Sequence, residues 1–128
     1  MLIEAVTHTD KLLNEESGID TYLSGSTMTA MLFDQSRIYT ANSGDSRAMM
    51  CSYSHEKGKL FLNSIGVKVQ NLTIDHKPDL PEEQKRVEAL GGRVEPIKGP
   101  NGTFLGPMRV WLKDEDSPGL AMSRSMGD

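Results

Sequence analysis

Between residues 27 and 74 the chain offers five strand-like runs in succession, with no helical pattern among them. Residues 27–33 (TMTAMLF) form a mixed, largely apolar run suited to a buried strand. Residues 37–42 and 46–53 are separated by Ser43-Gly44-Asp45. That spacing predicts a hairpin, because glycine accepts the positive φ of a tight turn. Residues 59–64 and 67–74 predict a second hairpin, turning at Ile65-Gly66. Strands that come in runs, rather than alternating with helices, place the chain in the α+β class with a largely antiparallel sheet.

Helical patterns lie outside this block. Residues 2–16 read as a helix on which Ile3, Val6 and Leu13 share one face. Asp10 falls on the same face, where a carboxylate is expected to take a hydrogen bond at the edge of the core. A second helix opens at Pro81, whose missing N–H loses nothing in a first turn, and stops at Gly91-Gly92. Glu82 is spaced to pair with Arg86, and Val87 with Leu90 gives the buried stripe. Beyond it the pattern predicts a strand over residues 93–97, a Gly/Pro loop over 98–106 and a short strand over 108–112. An acidic loop over 113–117 and a last strand over 120–123 follow.

The 128 residues allow one domain, large enough to bury about 65–70% of its unfolded surface. Fourteen basic against eighteen acidic residues leave a net charge of −4, which excludes a chain drawn to nucleic acid or an anionic membrane by charge. Cys51 is the only cysteine, so an internal disulfide and a cysteine zinc cluster are both excluded. His8, His55 and His76 lack metal-ligand spacing. No apolar run approaches the roughly 20 residues of a membrane helix. The start, MLIEAVTHTDKLL, does not read as a signal peptide, and an intracellular compartment, cytoplasmic or nuclear, is expected.

Few residues offer chemistry. Gly91-Gly92 and Gly99-Pro100-Asn101-Gly102 match no phosphate-binding loop and read as turns. The serines of Ser24-Gly25-Ser26-Thr27 and Ser123-Arg124-Ser125 lack a nucleophile elbow and are expected to satisfy backbone groups. Trp111, the only tryptophan, reads either as a core anchor or as a lid contact. Asp45, projecting from a turn after Gly44, can coordinate a hard cation or cap its own hairpin as an Asx-turn residue. Asp128 also follows a glycine, and reads either as a ligand or as a frayed terminus.

Four segments, in this order, resemble the metal-dependent protein serine/threonine phosphatases of the 2C type. They are Ser24-Gly25-Ser26-Thr27, then Ala41-Asn42-Ser43-Gly44-Asp45-Ser46-Arg47-Ala48, then Leu72-Thr73-Ile74-Asp75-His76-Lys77-Pro78 with the helix and Gly91-Gly92-Arg93-Val94 after it, and Leu120-Ala121-Met122-Ser123-Arg124-Ser125-Met126-Gly127-Asp128. The resemblance implies a partial α-β-β-α sandwich, with antiparallel sheets inside and helices outside. It implies one partial phosphatase domain over residues 1–128, with a flap over about 92–124 beside the active site. It also implies hydrolysis of phosphoserine and phosphothreonine proteins by water activated on Mg2+ or Mn2+.

Asp128 matches a metal-ligating aspartate of that family, and Asp45 one that helps to hold an auxiliary third metal. No catalytic residue is assigned besides these two metal positions. The family's Asp-Gly-His-Gly-Gly motif and its late aspartate motifs do not occur in the 128 residues. The expectations are therefore weak metal binding and no activity for this chain alone, and self-association through its uncovered faces. A non-catalytic binding module or pseudophosphatase on the same partial fold is the alternative reading, and an unrelated α+β binding domain a third.

Overall fold

The computed structural model describes residues 2–16, 18–54 and 66–127. Among them are two helices, α1 (Leu2–Glu15) and α2 (Pro81–Ala89), and six strands. The strands are β1 (Met28–Asp34), β2 (Arg37–Ser43), β3 (Met49–Ser54), β4 (Gly66–Asn71), β5 (Arg93–Lys98) and β6 (Phe104–Trp111). They form three antiparallel ladders, β1–β2, β3–β4 and β5–β6, so the chain is α+β as expected.

The expected hairpin around Gly44 does not form. β2 folds back on β1 through Gln35-Ser36, with Asp34 opposite Arg37, and β3 takes β4 as its partner. The reason lies in the hydrogen bonds of residues 44–48, which are spent on the 72–76 segment. Gly44 N–H donates to His76 Nδ1 at 3.2 Å, and its carbonyl accepts from His76 N–H at 3.0 Å. Ala48 N–H donates to Thr73 Oγ1 and Ala48 carbonyl accepts from Leu72 N–H, both at 2.9 Å. The expected strand over 59–64 lies outside the described residues, and the one expected over 67–74 is β4, ending at Asn71.

Helix α2 begins at Pro81 as predicted, but its buried face is set differently. Glu83, 7% exposed, pairs with Arg86 in place of the exposed Glu82. Val87 is buried while Leu90 is 79% exposed, because the helix ends at Ala89 and Leu90 leaves the stripe. The Gly/Pro loop is shorter than predicted: Lys98 pairs with Phe104, so β6 already begins at Phe104. The last predicted strand reduces to one bridge between Leu120 and Val110.

Trp111 is a core anchor. It is 9% exposed, and its Nε1–H donates to the Glu95 carbonyl at 2.8 Å. Gly119 lies flat against the ring, where an added Cβ would fall 2.3 Å from Cζ3. Arg93 then ties the 113–117 loop down by donating to Glu115 carbonyl and to Asp116, each at 2.8 Å. The resulting hairpin packs beside α2 through β5. No helix among the described residues is long and apolar enough to cross a membrane.

Candidate functional site

The four sequence segments singled out above converge. Ser26 and Met126 exchange backbone hydrogen bonds at 3.0 and 2.8 Å, joining the first to the fourth. Ser43 Oγ donates to the Ser125 carbonyl at 3.1 Å, which adds the second. The third enters through His76, bonded to Gly44 on one side and, by its carbonyl, to Ser123 N–H at 3.0 Å on the other. Asp10 on α1 closes the ring: its Oδ1 accepts from Gly127 N–H at 2.9 Å. The hydrogen bond expected of this carboxylate is made, but not at a core edge: no described residue of α1 is buried, and Ile3 of the same face is 77% exposed.

The small residues here serve contact. Gly44 has φ 102°, and an added Cβ would lie 2.4 Å from Thr27 Cγ2. Gly127 has φ 97° and faces Leu13 and the Ser24 carbonyl. Hydroxyls knit the same region together, with Thr27 Oγ1 and Ser46 Oγ 2.8 Å apart and Thr29 donating to Asn42 Oδ1 at 2.5 Å. Ser26 Oγ donates to a backbone carbonyl, and Ser123 Oγ to Glu83. Ser26 thus satisfies a backbone group as expected, whereas Ser123 serves a carboxylate side chain instead.

Two charged groups of side chains frame the junction. In the first, buried Glu83 accepts from Arg124 Nε at 2.9 Å and Nη2 at 2.6 Å, from Arg86 Nη2 at 2.9 Å and from Ser123 Oγ at 2.8 Å. Its hydrogen bonds from Arg124, reinforced by Arg86 and Ser123 against the cost of burial, hold its pKa down at about 2. Arg86 also donates to the Ser123 carbonyl at 2.6 Å. Burial and the Arg124 charge lower the pKa of His76, consistent with a neutral imidazole whose Nδ1 accepts from Gly44.

The second group lies along the Gly44 turn. Arg47 makes a bidentate pair with Asp75, Nε to Oδ1 at 2.8 Å and Nη2 to Oδ2 at 2.7 Å, which lowers the Asp75 pKa. Lys77 Nζ donates to Asp45 Oδ2. Asp45 is therefore an ion-pair partner rather than the cap of a hairpin. A cleft of about 910 Å3 runs past Arg47, Asp75, His76 and Lys77. Another of about 630 Å3 lies between α2 and the β5–β6 hairpin, lined by Val87, Trp111, Leu120, Arg86 and Arg124.

The family model for protein phosphatase 2C matches residues 1–128, the whole length. The chain belongs to the protein phosphatase 2C family. It is 42% identical over 119 residues to "Probable protein phosphatase 2C 73" of Arabidopsis thaliana, covering 93% of this chain and 29% of that protein. "Probable protein phosphatase 2C 12" of Oryza sativa subsp. japonica is 40% identical over 119 residues, covering 93% and 28%. "Probable protein phosphatase 2C 73" of the same rice is 34% identical over all 128 residues, 28% of its length. The chain spans between 23% and 33% of the lengths of the curated relatives it matches.

Protein phosphatase 2C enzymes depend on metal, so the donor set of this chain can be tested for fit. Among the described residues no three His, Cys, Asp or Glu side chains come together. Asp45 already faces an ammonium group, and Asp128 lies outside the described residues. One carboxylate is a poor match for a cation that takes about six oxygens. The described residues do not by themselves make a metal centre. The structure brings the turn bearing Asp45 and the segment ending at Gly127 to one junction, through Ser43 and Ser125.

Sequence reasoning missed the Glu83 hub, the Arg47–Asp75 pair and the Lys77–Asp45 pair. Each joins residues 28 or more positions apart, apart from Glu83 with Arg86 on α2. The available signal was Glu83 itself, a second acid beside Glu82 with an arginine three residues on.

Proposed function

We propose that residues 1–128 are the central portion of a protein serine/threonine phosphatase domain whose substrates are phosphoserine and phosphothreonine proteins. The flap of that domain is the segment 92–124, and Mg2+ or Mn2+ is its metal. Asp45 and Asp128 are the residues of this chain assigned to that metal centre. One observation carries the reading: the four segments that resemble the family motifs, scattered over a hundred residues, meet at a single junction. The 128 residues alone should give no chelator-sensitive turnover of a phosphothreonine peptide with Mn2+. A protein of the relatives' length containing this segment should give it, and should lose most of it on Asp45→Ala or Asp128→Ala while staying folded. Turnover by the short chain would overturn its reading as an incomplete centre, and none by the long one would overturn the phosphatase reading in favour of a non-catalytic module.

The same reading places the protein inside the cell, in cytoplasm or nucleus, supported by its single, exposed cysteine. It also includes self-association of the short chain and no role for nucleic acid. Support for self-association comes from β1 and β2, which leave Met31, Leu32, Phe33 and Tyr39 between 42% and 68% exposed. Sedimentation velocity should show a mass that rises with concentration. A compact monomer throughout would mean that these faces need no cover.

A further inference from the structure

We propose that the cleft between α2 and the β5–β6 hairpin is a binding site for a small organic monocarboxylate, one that joins an acid group to an apolar body. The proposal goes beyond the phosphatase reading, because it concerns ligand binding with no phosphorylated substrate present. At about 630 Å3 the cleft has the size that takes a small ligand. Its floor is built: Val87 and Trp111 are buried, and Gly119 lies against the indole ring. Leu90 and Leu112 stand exposed on its rim, apolar surface that a ligand takes out of water.

Charge selects the kind of ligand. Among the described residues, Arg86 and Arg124 are the charged side chains that line the cleft, and no carboxylate lines it, in a chain of net charge −4. Both arginines pair with Glu83, yet neither is used up. Glu83 takes Nη2 of Arg86, which the Ser123 carbonyl shares, and Nε with Nη2 of Arg124. The two Nη1 groups make no hydrogen bond among the described residues. Two guanidinium groups against one carboxylate leave a net positive charge, and an anion at Nη1 gains charge-assisted hydrogen bonds.

The spacing fits such a molecule. Leu90 follows Arg86 by four residues, which places it about 6 Å further along the direction of α2. A short alkyl linker spans that distance, with the acid at the arginines and the apolar body against Leu90, Val87 and Trp111. The wall offers no free strand edge to a peptide here, because Val110 and Leu120 exchange both backbone hydrogen bonds, at 2.8 and 2.9 Å. That favours a small molecule over an extended chain.

Amide NMR of the 128-residue chain titrated with 4-phenylbutyrate tests this. Saturable shifts should appear at Gly92, Leu120 and Arg124 and at the Trp111 indole N–H, with a dissociation constant on the order of 1 mM. The matching amide, 4-phenylbutyramide, keeps the shape without the charge and should bind about tenfold more weakly. Leu90→Glu puts a carboxylate on the rim and should weaken 4-phenylbutyrate about tenfold. Ile3→Glu adds the same charge at a similarly exposed position on α1 and should leave binding unchanged. No saturable shift, equal binding of acid and amide, or equal affinities for Leu90→Glu and Ile3→Glu would overturn the proposal. If Leu90→Glu does not fold, salt decides on the unaltered chain. The advantage of acid over amide should shrink as ionic strength rises, and an advantage that does not move would overturn it.

Discussion

Glu83→Gln should destabilise the chain by about 2–3 kcal/mol, as measured by urea unfolding followed through Trp111 fluorescence. The carboxylate is 7% exposed and accepts four hydrogen bonds, three of them from guanidinium groups. Glutamine keeps the shape but removes the charge, and turns one end of the group into a donor facing Arg124. Arg124 and Arg86 are 45% and 36% exposed and recover hydration, which keeps the loss below that of a fully buried pair. Glu82→Gln on the exposed side of α2 should change stability by no more than about 0.5 kcal/mol.

The acid limb gives an independent sign. With a native pKa of about 2 against an ordinary 4.5, Glu83 binds its proton in the unfolded chain before the folded one. Its contribution is therefore complete above pH 4.5 and is lost as pH falls from there towards 2. The Gln variant should lack that part of the pH dependence. Identical acid limbs and equal stabilities for Glu82→Gln and Glu83→Gln would show that the hub holds nothing in place.

What the sequence makes legible follows from how local its cause is. Helix α2 starts at Pro81 because one ring fixes one φ, and that is visible in one residue. β1 and β2 are visible as runs for a similar reason. Their pairing is not, because a run states a preference for extension and names no partner. Ser43-Gly44-Asp45 looks like a hairpin turn, and Gly44 does take positive φ. The bonds that decide where the chain goes next come from Leu72, Thr73 and His76, and no pattern within residues 37–53 contains them.

The site divides in the same way. Asp45 and Asp128 are proposed from family motif alone, and Asp10 stands out by its odd place on an apolar face. Lys77 was legible only as part of a motif. Its pairing with Asp45 depends on the Gly44–His76 contact, 32 residues apart in the chain. Glu82 and Glu83 are equivalent to any rule of helix spacing that ignores the rest of the fold. Ser123 and Arg124, arriving about forty residues later, select Glu83.

Gly44→Ala should be a severely damaging single-methyl change, with an expected cost of about 3–4 kcal/mol. Two penalties coincide there. The backbone sits at φ 102°, beyond the region a residue with a Cβ adopts without strain. The new carbon would also lie 2.4 Å from Thr27 Cγ2, 2.8 Å from Thr27 Cβ and 3.2 Å from Thr27 Cα. Thr27→Ser removes only the first of these atoms and should recover a minor part of the loss. Gly102→Ala separates the penalties, since Gly102 has φ 74° and nothing within 4 Å of an added Cβ. That variant should cost about 1 kcal/mol, the conformational part alone. The difference between the two measures how tightly the Asp45 turn is pressed against the first residues of the Ser26–Met126 junction. Equal costs for Gly44→Ala and Gly102→Ala in urea unfolding would mean that the turn has room to move, and that Asp45 and Lys77 are not held at a fixed separation.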